Sequence, residues 1–123
     1  MATLSDRVFD NGLSVLGTEA NKILLTSQEA ATYTEANATY ALGNSTSLAI
    51  AAPSDRGAGG REVVVAAITD GAVTADGTAT NYAIVDTVNS RLLATGALSA
   101  SQTVSSGNTF NLGSFTIGIP DPA

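Results

Sequence analysis

The side chains that could do chemistry here are eleven carboxylates and five basic groups, because the 123-residue chain has no histidine and no cysteine. Without imidazole or thiol there is no Ser-His-Asp relay, no thiolate nucleophile and no zinc–thiolate site, which removes most hydrolase mechanisms. Paired carboxylates are what remains. Asp6 with Asp10, or Glu29 with Glu35, could approach each other as the two acids of a glycan hydrolase do, but each also suits a helix cap or a turn. Asp70, Asp76 and Asp86 could offer oxygen ligands to a hard cation, yet they lack the twelve-residue spacing of a calcium loop, and turn chemistry accounts for the first two. The run Gly57-Ala58-Gly59-Gly60-Arg61 lacks the Lys-Ser/Thr of a phosphate loop and leads into a strand pattern, not a helix, so it reads as a connector. Asn37-Ala38-Thr39 and Asn44-Ser45-Thr46 match the glycosylation sequon, but with no secretory leader in view neither is expected to be modified. The expectation is a non-enzymatic protein with no catalytic residues, no metal and no cofactor.

The elements that carry these residues are mostly strands. Thr3 is placed to cap a short helix with Leu4, Val8 and Phe9 on its inner face and Asn11-Gly12 as its end. Ile23-Leu24-Leu25 within Lys22 to Ser27 reads as a buried strand. Thr34 is placed to cap a second helix running to Leu42, with Gly43 as a left-handed stop; Tyr33 and Tyr40, seven apart, would share a stripe, with core packing as its ordinary meaning. Ser47 to Ala51 reads as a strand, and Pro53 to Gly60 as an exposed loop. From Arg61 onward strand follows strand. Val63 to Ile68 is apolar on both faces and so predicts a central strand covered on both sides. Asp70-Gly71, Asp76-Gly77 and Asn89-Ser90 are turn signals. Strands are expected at Thr78 to Asp86, Arg91 to Ser99, Gln102 to Val104, Thr109 to Leu112 and Phe115 to Ile119, with Ser99 to Asn108 as a hairpin arm or mobile loop. This pattern predicts a mainly β fold, an antiparallel β-sandwich or jelly-roll-like barrel, with one or two short helices in the N-terminal third. Residues 1–123 read as a single domain, 1–46 mixed in texture and 61–119 all strand.

Composition narrows the partners. Hydrophobic residues are 44% of the chain and charged residues only 13%, with a net charge of −6. That sign repels phosphate backbones and anionic membranes, so neither nucleic acid nor membrane is an expected partner. So sparsely charged a surface is made of small neutral groups and costs little to desolvate, which suits a protein that ends up covered by neighbours and equally suits a β-protein with threonine-rich outer faces. The opening Met1-Ala2-Thr3-Leu4-Ser5-Asp6 has no basic or apolar leader region, and no apolar run approaches the roughly 20 residues of a membrane span. A protein made in the cytoplasm and remaining soluble is expected.

Several phrases resemble a family of small tailed-bacteriophage virion proteins: Thr80-Asn81-Tyr82-Ala83-Ile84-Val85-Asp86, Asn89-Ser90-Arg91-Leu92-Leu93-Ala94-Thr95-Gly96-Ala97-Leu98, and Ser105-Ser106-Gly107-Asn108-Thr109-Phe110. The opening Met1 to Leu16 and the stretch Thr34 to Gly43 are similar too, so the likeness extends over most of the chain. The resemblance implies a virion structural protein, a capsid decoration or cement protein on the outside of the phage head, with a tail, neck or fibre component carrying a receptor- or glycan-binding role as the alternative. It implies the major capsid protein or other virion proteins as partners, and assembly into dimers or trimers. No functional residue carries over, since such proteins have no motif that acts chemically. From the residues themselves, the candidate protein contacts are the N-terminal segment at Leu4, Val8 and Phe9, the loop at Asp55, Arg56 and Gly57, and the tail at Ile119, Pro120 and Pro122. Each also has an ordinary meaning: core, idle loop and frayed end.

Overall fold

Ile23, Leu24 and Leu25 are contiguous and apolar, so a strand through them has no face to offer to water and must sit inside a sheet. The computed structural model, which describes residues 6–120 and side chains from Asp10 onward, puts them there with 0%, 1% and 2% exposure. The chain is mainly β, with 51% of residues in strands, all pairings antiparallel and two helical segments, a β-sandwich-like fold class as the alternation predicts. Its contacts gather into two compact units, residues 1–19, 49–67 and 113–123 in the first and 20–48 and 68–112 in the second. These boundaries do not follow the change of texture at Pro53 to Gly60.

The second unit is one six-stranded sheet. Its strands are β1 (Lys22–Thr26), β2 (Ala41–Ser45), β5 (Ile68–Val73), β6 (Gly77–Asp86), β7 (Arg91–Val104) and β8 (Thr109–Leu112), ordered β7-β6-β1-β2-β5-β8. On one face Leu24, Ala83 and Val85 meet Ala30 and Ala36, with Tyr33, Tyr40 and Leu92 packed around them. The tyrosine pair is therefore core packing. Tyr33 and Tyr40 do not share a helical stripe, however, because the expected helix to Leu42 is a π-helical turn, Glu35–Thr39, and Leu42 and Gly43 already belong to β2. Thr34 makes no side-chain cap; Thr32 Oγ1 accepts the Glu35 N–H at 3.2 Å while Glu35 Oε1 accepts the Ala31 N–H at 2.8 Å. The cap signal was real and sat two residues upstream, and the five-residue turn stops where Tyr40 and Leu42 bury more apolar area in and against the sheet than a helix would allow.

One turn signal and one expected strand break turn out to be sheet irregularities. Asp70 lies inside β5 at φ 57 and makes the bulge at which the β5–β8 register shifts, its N–H donated to Asn111 Oδ1 at 3.1 Å. Along β7 there is no break at Ser99 to Gln102. Ala79 faces Gln102 whereas Asn81 faces Ala97, so two steps on β6 span five on β7, and the surplus residues of β7, not a loop, account for its small polar composition.

The first unit holds the helix α1 (Asp6–Glu19) and the strands β3 (Ser54–Asp55), β4 (Arg61–Val65) and β9 (Phe115–Ile119), ordered β3-β4-β9. The helix runs through Asn11-Gly12 to a length of 14 residues instead of ending there. Leu13 and Leu16 extend its apolar stripe and are 2% and 8% exposed, and burying them outweighs the ~1 kcal/mol that a mid-helix glycine costs. The apolar run from Val63 is not one strand: β4 ends at Val65, Ala66 and Ala67 are exposed, and Ile68 opens β5 in the other sheet. Nor is β4 covered on both sides, since Val63 and Val65 are buried while Val64 is 37% exposed. The strand expected at Ser47 to Ala51 is reduced to a bridge between Ile50 and Val65.

Candidate protein-contact site

The side chains at the hairpin end of the first unit are organised by Arg61, the first residue of β4. Its Nε donates to Asp10 Oδ1 at 2.9 Å and its Nη2 to Asp10 Oδ2 at 3.3 Å, a two-pronged ion pair that fastens α1 to the sheet. Nη1 donates to Asp55 Oδ1 at 2.7 Å, and Nη2 also reaches the Pro53 carbonyl at 3.4 Å. The Asp55 side chain is 88% exposed, so that arm adds little stability, and its role is to hold β3 against β4.

The glycine-rich run between β3 and β4 is an ordered hairpin turn. Arg56 and Gly60 are joined through the Arg56 N–H and Gly60 carbonyl at 3.2 Å, Gly59 N–H reaches the Arg56 carbonyl at 2.9 Å, and Arg56 Nη1 donates to the Gly59 carbonyl at 3.0 Å. Gly60 sits at φ 90, and a Cβ there would fall against the Ile119 carbonyl oxygen and the Pro120 Cα. The Arg56 side chain lies over Gly118, its Cδ 3.0 Å from where a Cβ would be. Of the sequence candidates, then, Asp55, Arg56 and Gly57 are brought to the same end of one sheet as Ile119 and Pro120. Ile119 is 37% exposed, and Asp55, Gly57 and Pro120 are open to water. Leu4 and Pro122 lie outside the described residues, as do the side chains of Val8 and Phe9 within α1. Sequence reasoning passed over Asp10 and Arg61 as a pair because their separation of 51 residues leaves no local signal.

Three further acids have structural partners. Glu35 Oε2 accepts the Tyr40 hydroxyl at 3.3 Å, Glu29 Oε1 accepts Thr95 Oγ1 at 3.4 Å, and Asp76 Oδ1 accepts the Ser106 N–H at 2.7 Å. Among the described residues no three potential metal ligands cluster, and Asp70, Asp76 and Asp86 occupy a bulge, an inter-strand connection and a hairpin corner. No described helix is long and apolar enough to cross a membrane.

Asp86 closes the β6–β7 hairpin. Its Oδ2 accepts Asn89 Nδ2 at 2.8 Å, and its Oδ1 accepts the Val88 and Asn89 N–H groups at 2.9 and 3.4 Å. The Asn89 side chain is the main influence holding the carboxyl below its ordinary value; the two backbone donors and Arg91 act in the same direction, against burial, which pushes it up. A folded-state value below the unfolded one, about 3.9, means the stabilisation is complete above that pH and is lost as pH falls through the lower folded value. The expected result for Asp86→Asn is a lower melting temperature near pH 7 and a shallower loss of stability below about pH 4 than the native chain shows. Melting curves across that range test it, and native and variant curves that stay parallel into acid would sink the assignment.

Comparison with family models, with curated proteins and with solved structures finds no match for this chain.

Proposed function

We propose that the protein is a non-enzymatic virion structural component, a capsid decoration or cement protein that binds the outside of a phage head and bridges major capsid proteins. The observation that carries this reading is where the charge is missing. Residues 92–120 contain no ionised side chain, and this stretch supplies β8, β9 and all of β7 but its first residue, Arg91, three of the four sheet edges among the described residues. An edge strand offers unpaired N–H and C=O groups to any neighbouring strand, and proteins that must stay apart guard such edges with lysine and other charges or with proline, which lacks the N–H. Here the guard is missing where it would matter most. A molecule that spends its working life against other protein surfaces benefits from that choice, and on a symmetric shell many weak edge contacts add up to a firm hold. The small neutral surface and the phrase-level resemblance to tailed-phage virion proteins support the same reading, and an excess of negative charge suits an outward face better than one turned to packaged DNA.

Imaging purified particles, with the protein located by a fused tag, is the deciding experiment. Many copies spread over the head, together with heat-sensitive particles when the protein is removed, are the expected result. A few copies at one vertex or along the tail would replace the decoration role with that of a tail, neck or fibre component, and absence from particles would end the virion reading altogether.

A further inference from the structure

We infer that β9 is a self-association edge: two copies of this chain pair through Phe115–Ile119, antiparallel about a twofold axis beside Ile117, joining their three-stranded sheets into one. The inference concerns what the first unit binds and stands apart from the virion reading.

Two edges, β8 and β9, carry no charge and a third, β7, carries only Arg91 at its start, and they are not equivalent. β7 is interrupted by two register shifts against β6, and the strand behind β8 is bulged at Asp70. Such irregularities twist an edge away from a would-be partner. β9 pairs with β4 over five consecutive positions, Arg61 with Ile119 through Val65 with Phe115, with no shift, and no described strand lies beyond it. It presents a regular edge with no proline inside it.

The occupant follows from the sequence of the strand. Paired with itself about Ile117, Phe115 faces the partner's Ile119, Thr116 faces the partner's Gly118, and Ile117 faces its own equivalent. Because side chains alternate, Val63, Ile117, the partner's Ile117 and the partner's Val63 then form one apolar row across the joined sheet. Ile119, 37% exposed in the single chain, gains the Phe115 ring of the other copy as a neighbour. The two chains each carry a net charge of −6, but the acid of β4, Glu62, sits three inter-strand spacings across and two residues along from its equivalent, about 16 Å, beyond the ~8 Å over which charge is felt at physiological ionic strength. The new ladder adds about four to six main-chain hydrogen bonds. That is the size of contact expected to be weak between free chains and effective where copies are held close.

Sedimentation of the whole chain over a concentration series should show a monomer–dimer equilibrium. Thr116 is exposed, so Thr116→Lys should leave the fold intact by circular dichroism and raise the dimer dissociation constant about tenfold or more. The chain has no cysteine, which allows a register test. Ile117→Cys places two thiols directly opposite, within disulfide reach, and should give a covalent dimer on mild oxidation; in Thr116→Cys the equivalent Cα atoms are about 8 Å apart and should not join. A chain that remains monomeric at about 1 mM overturns the inference. So does a dimer indifferent to Thr116→Lys, or one cross-linked more readily through position 116 than through 117.

Discussion

Replacing Gly60 by alanine is expected to cost about 2–4 kcal/mol of stability, an effect large for the removal of no contact at all. Two penalties combine. At φ 90 the backbone is in the left-handed region, where an L side chain costs about 1–2 kcal/mol. The added Cβ would also fall on the Ile119 carbonyl oxygen and the Pro120 Cα, which are backbone atoms and cannot swing aside. The strand ladder from Arg61 to Val65 must then shift against β9, or the turn must open. Amide exchange should accordingly rise in β3, β4 and β9 before it rises in β1 or β6. Gly57→Ala, three residues away in the same turn, is the control: its Cβ would meet nothing within 4 Å and its φ is not positive, so a change within about 0.5 kcal/mol is expected. Equal effects at the two positions would mean that the turn is not held against the end of β9.

The second large effect is expected at Phe110, which is 5% exposed in β8. Its ring lies across Gly71, the residue directly opposite it on β5, and reaches Gly43 on β2, so one side chain covers the bare backbone of two strands. Phe110→Ala removes that cover and leaves a cavity, at a cost of about 3–5 kcal/mol. The contact can be isolated with a second substitution. Alone, Gly71→Ala drives a Cβ into the Phe110 ring and should destabilise; beside Phe110→Ala it should become neutral or favourable. Chemical denaturation of the four chains of this cycle gives the coupling, expected to exceed about 1 kcal/mol, and additive effects would rule out the ring-over-glycine contact.

The proposed capsid role and these stability effects meet in one property. Among the described residues the first unit has a helix and three strands, one of them two residues long, and its hairpin end depends on Gly60 and on the Asp10–Arg61 pair for its shape. A small sheet of this kind gains order when a neighbour extends it, which is what pairing at β9 would supply.

What could be read from the order of residues was whatever depends on neighbours along the chain. Alternation marked Thr78 to Asp86 and Phe115 to Ile119 as strands because a pleated backbone repeats every two residues wherever it sits. The mainly β class and the burial of Ile23 to Leu25 followed on the same ground. Contact candidates at Asp55 to Gly57 and at Ile119 and Pro120 could be named from exposure and polarity, but nothing local said that these segments meet. Only the tertiary structure decided where elements stop and which sheet they join. Leu13 and Leu16 found a surface to bury against, so α1 ran on past Asn11-Gly12; the strand demand of Leu42 cut the second helix to a turn; and Val63 to Ile68, uniform in hydrophobicity, divided at Ala66-Ala67 between two sheets. Long-range burial is worth several times the fraction of a kcal/mol by which local preferences differ, and a propensity cannot report which distant surface will be there to receive it.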